Sequence, residues 1–297
     1  MQDRLSTPAL VGLATALDAI AVEVFDALDE DGVPNLLVKG PAISHWLYDS
    51  PGERPYFDVD LLVREPDLAR AEATLRRRGF RFVHDDWHGR VWLRGPVNLD
   101  LHRRLPGITA DPEVVFDRLY ADAEPLQLAR GWVRVPSEEA RALHLGLHAA
   151  QHGPELPSPI EDLRRGLERL PQSVWSGAAG LALDFSVQQE LAAGLDLLPA
   201  GRELNSVLGL EPRPRVENPG ITAGVRRFAA TPGFTEKAAL LVREVFPTRD
   251  YLRAHMPIAK RGRLGVALAR VWRPFSLLLR LGPALVAFRR SRGRPLG

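Results

Sequence analysis

The segment 57–63, with the sequence FDVDLLV, constrains the fold of this chain more than any other stretch. It alternates apolar and acidic residues and then becomes wholly apolar, which is typical of a strand whose one end carries a site. Residues two apart in a strand share a face, so Asp58 and Asp60 present carboxylates about 6.6 Å apart along the chain. A buried strand rarely keeps two unpaired carboxylates, and metal ions or basic partners would resolve that conflict. A solvated strand face is the alternative for so short a motif.

A third carboxylate follows in the strand-like run 97–102. Asp100 lies within this run, and a neighbouring strand would place it about 4.8 Å to the side of the first two carboxylates. Two metal ions in a phosphoryl-transfer site lie about 3.5–4 Å apart, so carboxylates at these spacings could flank such a pair. Asp58, Asp60 and Asp100 are therefore the candidate metal ligands. His102 ends the same run and is expected to face the opposite side of the sheet.

The dipeptide Lys39-Gly40 is the second part of the candidate site. It closes the short apolar run 35–39, and Pro41 suits the first turn of a helix that starts there. A strand-to-helix turn through glycine lets the backbone approach a phosphate, and the N-terminus of the helix favours anions. Lys39 would supply a positive charge to a triphosphate.

The order of the predicted elements indicates an α+β fold with a small mixed sheet. Apolar periodicity predicts helices at 8–29, 41–48 and 66–78, strands at 35–39, 57–63, 80–84, 91–94 and 97–102, and a hairpin at 125–135. The pattern is then mainly helical, with Ser137 as a helix cap and further helices at 158–170, 181–197, 221–229, 235–246 and 263–290. We therefore expect a catalytic domain at 1–135, which carries the candidate site, and a helical domain with a basic C-terminal segment at 136–297.

Five short motifs occur in order along the first third of the chain: LVKG at 37–40, LY at 47–48, Arg54, DVDLLV at 58–63 and LDLH at 99–102. Together they resemble the uncharacterised nucleotidyltransferase family, a branch of the polymerase-beta-like nucleotidyltransferase superfamily. The resemblance continues into the helical half, where three histidines and a later acidic residue are similar to the family's histidine-bearing helix and the helix after it. These residues are His144, His148, His152 and Asp162.

The resemblance implies a nucleotidyltransferase-like fold and transfer of a nucleoside monophosphate from an NTP, such as ATP, to an acceptor, with release of pyrophosphate. It implies that Asp58 and Asp60 hold two divalent cations, Mg²⁺ or Mn²⁺, and that Asp100 completes the catalytic one. The residues that would contact the triphosphate are Lys39, Gly40 and Arg54. The acceptor stays unidentified, since a small molecule, a peptide, an RNA or a protein side chain would fit the same arrangement.

One position departs from the pattern of the superfamily. Where the superfamily has Gly or Ser after the turn glycine, this chain has Pro41, which lacks a backbone donor. This departure favours an alternative, a catalytically inactive nucleotidyltransferase-fold protein that acts as a binding or scaffold partner through its basic C-terminal helix. The intact carboxylates favour the enzyme.

His144, His148 and His152 are spaced to lie along one face of a helix. Paired histidines at this spacing ligate zinc in some helices, so a metal site is one hypothesis. The alternatives are packing against the catalytic domain and hydrogen bonding to Asp162.

Basic residues are concentrated at the C-terminus. Residues 251–297 contain 11 Lys and Arg and no Asp or Glu, whereas the first 250 residues contain 28 basic and 37 acidic side chains. Such a segment binds an acidic partner, an anionic lipid surface or nucleic acid, or it forms a solvated helix face. Arg270, Arg273 and Arg280 interrupt its apolar stretch, so no transmembrane span is expected.

The chain has no cysteine, which excludes disulfides, Cys-ligated zinc, iron–sulfur clusters and a thiol nucleophile. The first apolar stretch is interrupted by Asp18, Glu23 and Asp26, unlike the core of a signal peptide. We therefore expect a cytoplasmic protein.

Overall fold

The computed structural model describes residues 7–50, 52–85, 88–212, 233–246, 249, 252, 256–275 and 277. The chain forms two compact units, residues 1–213 and 214–297. The first unit contains all the residues that the sequence singles out as a candidate site.

Within the first unit, strands and helices alternate before a run of helices. Its strands are β1 (Asn35–Val38), β2 (Asp58–Val63), β3 (Arg81–Asp85), β4 (Gly89–Arg94), β5 (Val97–His102), β6 (Glu124–Leu128) and β7 (Gly131–Val135). Its helices are α1 (Thr7–Glu30), α2 (Gly40–Leu47), α3 (Leu68–Arg77), α4 (Pro112–Ala121), α5 (Glu138–His152), α6 (Pro157–Arg169), α7 (Gln172–Asp184), α8 (Gln188–Leu195) and α9 (Pro199–Leu208). The strands predicted from the sequence are confirmed. The boundary predicted after residue 135 falls between β7 and α5, inside this unit, and stays a prediction.

Five strands form one mixed sheet in the order β1-β2-β5-β4-β3, and β6 and β7 form a separate hairpin. β2 and β5 are parallel, while β1 pairs antiparallel with β2 and β4 pairs antiparallel with β5. The expectation of an α+β fold with a small mixed sheet is confirmed.

Side chains of β1 and β2 point alternately into two cores, as the pleat of a sheet requires. Leu37 and Leu61 pack with buried residues of α1 and α3 on one face. Leu36 and Leu62 pack with buried residues of α5, α7 and α8 on the other face. Asp60 lies two residues before Leu62 and therefore faces the side of the sheet that α5 covers.

The helix predicted at 181–197 is wrong. Residues 172–184 form α7, the chain turns at Ser186 with a positive φ of 56°, and α8 begins at Gln188. The apolar periodicity continues across this turn because both helices bury the same kind of face, so the pattern alone joins them. Residues 172–180 of α7 and all of α9 were not predicted.

The helix α1 is, among the described residues, the helix whose length and apolar composition would suffice to cross a membrane, over Pro8–Glu30. The same criterion is met by core helices. Leu17, Val24 and Leu28 of α1 are buried in the core beneath the sheet, which is the packing expected of such a helix.

The second unit contains the helix α10 (Phe234–Val245), a 3₁₀ turn at Pro257–Arg261 and helical residues 263–275. Its described core consists of Leu252, Ala259, Val266 and Ala269. The predicted helix at 221–229, and the part of the predicted helix 263–290 beyond residue 277, lie outside the described residues.

Candidate active site

The three carboxylates that the sequence singles out meet on one face of two neighbouring strands. Asp58 and Asp60 lie on β2, and Asp100 lies on β5. In the parallel register Asp60 is opposite Asp100, and Asp58 is opposite Asn98. Since residues two apart share a face, all three carboxylates lie on the side of the sheet that α5 covers.

Lys39 supplies a positive charge to the centre of this cluster. Its Nζ donates to Asp60 Oδ1 at 2.8 Å. His102 Nε2 lies 2.7 Å from the same oxygen and 3.2 Å from Lys39 Nζ. His102 therefore shares the face of Asp100. The expectation that it faces the other side is wrong, because residues 100 and 102 are two apart and the pleat brings them to the same face.

The carboxylates repel one another because a single lysine cannot neutralise three of them. Burial and the charge of Asp60 raise the pKa of Asp58 to about 6, and burial with Asp60 and Asp58 raises the pKa of Asp100 to about 7. Burial also opposes ionisation of Asp60, but Lys39 and His102 outweigh it and hold the pKa of that carboxyl well below its usual range. The cluster therefore has an excess of negative charge on the face of the sheet that a further cation would relieve.

The donor set fits a divalent cation. Asp60, Asp100 and His102 each offer one ligand atom, and these atoms lie within 4.8 Å of one another. Carboxylate oxygens suit Mg²⁺ and Mn²⁺, and imidazole is a ligand for several transition metals. His102 thus joins two of the predicted ligands. The sequence signal that could have found it is its spacing of two from Asp100. Asp58 as a ligand stays a prediction.

The turn between β1 and α2 stands beside the cluster. Lys39 has φ 56° and ψ −147°, a backbone conformation that residues other than glycine rarely adopt. Gly40 also has a positive φ, of 27°. α2 begins at Gly40 with Pro41 in its first turn. The missing N–H of a proline at that position costs the helix little, since the first amides have no partner within the helix. Pro41 is therefore compatible with a turn that presents amides and the Lys39 ammonium to an anion.

Arg54 is held by a carboxylate of the helical half. Its Nε and Nη2 donate to Asp162 Oδ1 and Oδ2 at 2.7 and 2.8 Å, and Tyr48 Oη donates to Oδ1 at 2.7 Å. Among the described residues, Tyr48 and Arg54 are the hydrogen-bond donors to the Asp162 carboxylate. Within the same residues, the predicted hydrogen bond from a histidine of α5 to Asp162 is not formed. The sequence singled out Tyr48 in the LY motif and Asp162 in the helical half, but it did not predict that Tyr48 and Arg54 both donate to Asp162, since residues 54 and 162 are too far apart for any local pattern. The predicted contact of Arg54 with a triphosphate stays a prediction.

Three imidazoles form a row along α5, which we call the histidine ladder (His144, His148 and His152). Neighbouring ring centroids are 5.3 Å apart in the first pair, with an angle of 19° between planes, and 4.7 Å apart in the second pair, at 87°. Burial, then a neighbouring histidine and Lys39, lower the pKa of His144 and bring that of His148 to about 3, while burial and Lys39 lower that of His152. The ladder is therefore neutral at physiological pH and lies within the electrostatic reach of Lys39.

The arrangement of the ladder favours packing over metal binding. Within the described ranges, its nitrogens do not converge with a carboxylate in the way that Asp60, Asp100 and His102 do. A pocket lies at the inner end of the ladder, lined by His144, Lys39, Arg141, Val38 and Ile43 among others. The ladder thus borders the space in front of the turn.

Comparison with known proteins gives one family and several similar structures. The family described as uncharacterised nucleotidyltransferase matches residues 7–199. The antibiotic-resistance factor ANT(2'')-Ia is 18% identical, with 58% of this chain and 94% of that chain covered at a TM-score of 0.44. An antigenic nucleotidyltransferase-like protein from Paracoccidioides brasiliensis is 17% identical, with 68% and 94% covered at 0.39. The lincosamide antibiotic adenylyltransferase LnuA is 15% identical, with 48% and 92% covered at 0.36. The comparison with curated proteins finds no match.

Proposed function

Because this chain belongs to the uncharacterised nucleotidyltransferase family, we propose that it transfers a nucleoside monophosphate from an Mg²⁺-bound NTP, such as ATP, to a hydroxyl group of an acceptor, with pyrophosphate as the leaving group. The observation that carries the proposal is the register of β2 and β5, which sets Asp60 opposite Asp100 with the Lys39 ammonium 2.8 Å from Asp60. Carboxylates beside a lysine and a helix N-terminus suit a bound metal–triphosphate.

The three carboxylates and the Lys39-Gly40 turn would each have a part in this reaction. Asp58, Asp60 and Asp100 would hold Mg²⁺ or Mn²⁺, which when bound neutralises phosphate charge and aligns the triphosphate. Lys39 and the backbone of Gly40 would bind the phosphates, with the ammonium 2.8 Å from Asp60. One oxygen of Asp100, which lies opposite Asp60 in the parallel register, would accept the proton of the acceptor hydroxyl.

Arg54 would add positive charge next to the turn. In this conformation its Nη1 donates to the carbonyl oxygen of Gly40 at 3.4 Å, while its other two nitrogens are bonded to Asp162. The acceptor is a hydroxyl-bearing small molecule, peptide, RNA or protein.

The test is calorimetric titration of ATP, GTP, CTP and UTP, each with Mg²⁺, into the parent protein and into the Asp58→Asn/Asp60→Asn variant. We expect Mg²⁺-dependent binding of at least one NTP by the parent and none by the variant. Asp184→Asn serves as the control, because Asp184 is an exposed carboxylate on α7 with 56% of its side chain accessible. Binding that is equal in the parent and the double variant would refute the proposal.

A second function is favoured by a specific surface of the second unit. The helical residues 263–275 expose Leu264, Leu268, Val271 and Phe275, which are spaced along one helix face, and the same segment carries arginines and no acid. Such a face suits a scaffold that docks on an acidic partner. It predicts no pyrophosphate release with any NTP, together with a stable complex that is lost when residues 251–297 are removed.

A further inference from the structure

The loop between α2 and β2, residues 48–57, forms several ion pairs with α6. At one end Arg169 donates to both carboxylate oxygens of Asp49 at 2.9 and 2.6 Å. In the middle Arg165 donates to Glu53 at 2.9 Å, and its guanidinium lies 4.1 Å from the centre of the Tyr48 ring. These contacts lie at the surface, and exposed ion pairs of this kind contribute little to stability.

A third contact between the loop and α6 is of a different kind because it is buried. Asp162 is 1% exposed, and it accepts hydrogen bonds from Tyr48 Oη and from two nitrogens of Arg54. A buried ion pair is tolerated when its hydrogen bonds are satisfied, and the two-nitrogen fork of arginine also fixes the direction of the pair. Asp162 therefore defines where the guanidinium of Arg54 stands.

Arg54 also contacts the Lys39-Gly40 turn and the first turns of α2. Its Nη1 donates to the carbonyl oxygen of Gly40, and its own carbonyl oxygen accepts from Ser44 Oγ, both at 3.4 Å. Gly40 and Ser44 belong to α2, and four residues after Arg54 the chain reaches Asp58 at the start of β2. One arginine thus connects α6, the first turn of α2 and the strand that carries the acidic pair.

We propose that Tyr48, Arg54 and Asp162 are positioning residues that fix the Lys39-Gly40 turn and the start of β2 for binding of an Mg²⁺-bound NTP. The inference rests on the proposed function of the site. Arg54 acts through Asp162 and the Gly40 carbonyl, and its guanidinium stays paired with the carboxylate when the nucleotide is bound. Direct contact of Arg54 with the phosphates is the competing role.

The two roles predict opposite effects when Asp162 is neutralised. If Arg54 acts through Asp162, the variant Asp162→Asn loses the fork, the turn is no longer fixed, and NTP binding weakens. If Arg54 binds phosphate directly, Asp162→Asn releases the guanidinium for that contact, and NTP binding stays equal or becomes tighter.

The experiment measures the dissociation constant of the Mg²⁺-bound NTP that the parent prefers. We expect Asp162→Asn and Arg54→Lys each to weaken binding about 10- to 100-fold, as removal of partners behind a ligand shell does. The double variant Asp162→Asn/Arg54→Lys should bind the nucleotide no more weakly than the single variant with the lower affinity, because both substitutions remove the same constraint. Arg169→Gln, which removes another contact between the loop and α6, is the matched control and should stay within about twofold of the parent.

Three results would overturn the inference: equal or tighter binding by Asp162→Asn, additive losses in the double variant, or an equal loss in Arg169→Gln. If Asp162→Asn does not fold, Tyr48→Phe decides, since it removes one hydrogen bond to Asp162 and leaves the ion pair. Weaker binding by folded Tyr48→Phe supports the inference, and unchanged binding refutes it. A parent protein that binds no NTP refutes the proposed function itself. Failure of the proposed function is thus distinguishable from failure of the positioning role.

Discussion

Asp60 of β2 lies directly opposite Asp100 of its parallel neighbour β5. The strand spacing of about 4.8 Å brings the buried carboxylate of Asp60 and the half-buried carboxylate of Asp100 together, and the adjacent Lys39 forms its ion pair with Asp60. Ionisation of Asp100 is the less favourable of the two, since the pKa of its carboxyl is raised to about 7. The site is therefore expected to destabilise the metal-free fold, as sites built for charged ligands do.

Replacing Asp100 with Asn should stabilise the metal-free protein. A carboxyl whose pKa is raised on folding opposes folding increasingly as pH rises from its unfolded pKa, near 4, through its folded value of about 7. We expect Asp100→Asn to increase the free energy of unfolding by roughly 1–3 kcal/mol at about pH 8 and to have little effect at about pH 4. Urea denaturation at both pH values measures this. Added Mg²⁺ should stabilise the parent more than the variant, and a variant that is less stable at the higher pH contradicts the prediction.

Removing Lys39 should have the opposite effect on stability. Lys39→Met leaves Asp60, whose side chain is 4% accessible, without its ammonium partner. Breaking a buried ion pair by removing one partner costs about 3–5 kcal/mol, because the remaining charge stays desolvated. Thermal or urea unfolding measures the loss. Arg118→Gln, which removes the exposed pair with Asp122, is the control, and a loss no larger than that of this control would argue against a structural role of the Lys39–Asp60 pair.

The histidine ladder makes the fold sensitive to acid. The pKa of His148 is about 3 in the fold, whereas an unfolded histidine titrates near 6.5. Below that unfolded value the unfolded chain binds more protons than the folded one, so stability falls as pH falls toward 5. One such histidine accounts for up to about 1.4 kcal/mol per pH unit in this window. His148→Gln should flatten the fall, and the His148 ring in NMR spectra should not titrate between about pH 5 and 8. A midpoint near the ordinary value would contradict this prediction.

The position of α5 depends on a close approach of two glycines. A Cβ on Gly194 of α8 would lie 1.9 Å from the carbonyl oxygen of Gly146 in α5. Gly194→Ala should therefore destabilise the protein by about 2 kcal/mol or more, because the helices must separate. Gly180→Ala on α7 is the matched control, since nothing lies within 4 Å of its Cβ, and it should stabilise by about 0.5–1 kcal/mol. Equal effects of the two substitutions in thermal unfolding would count against this reading of the interface.

The sequence predicted those parts of the site that depend on short spacings. Asp58 and Asp60 share a face in any strand, and the apolar residues after them required a buried strand. The same rule, applied to residues 100 and 102, places His102 on the face of Asp100.

Long-range pairings were outside the reach of the sequence. The hydrogen bonds between Arg54 and Asp162 join residues that are 108 positions apart in the chain, and no periodicity or motif relates them. The break between α7 and α8 lies at Ser186, which has a positive φ. Serine rarely adopts a positive φ, so its presence in the sequence does not predict the break. Both cases are decided by tertiary packing.

The place of β5 in the sheet has a consequence for synthesis of the chain. β5 is the last of the five strands to be made, yet it lies between β2 and β4. Until residues 97–102 have left the ribosome, β2 has an open edge that could pair with another nascent chain. Asp58 and Asp60 lie on that strand, and charge on an open strand disfavours such pairing. The acidic pair would thus oppose aggregation of the growing polypeptide until β5 completes the sheet.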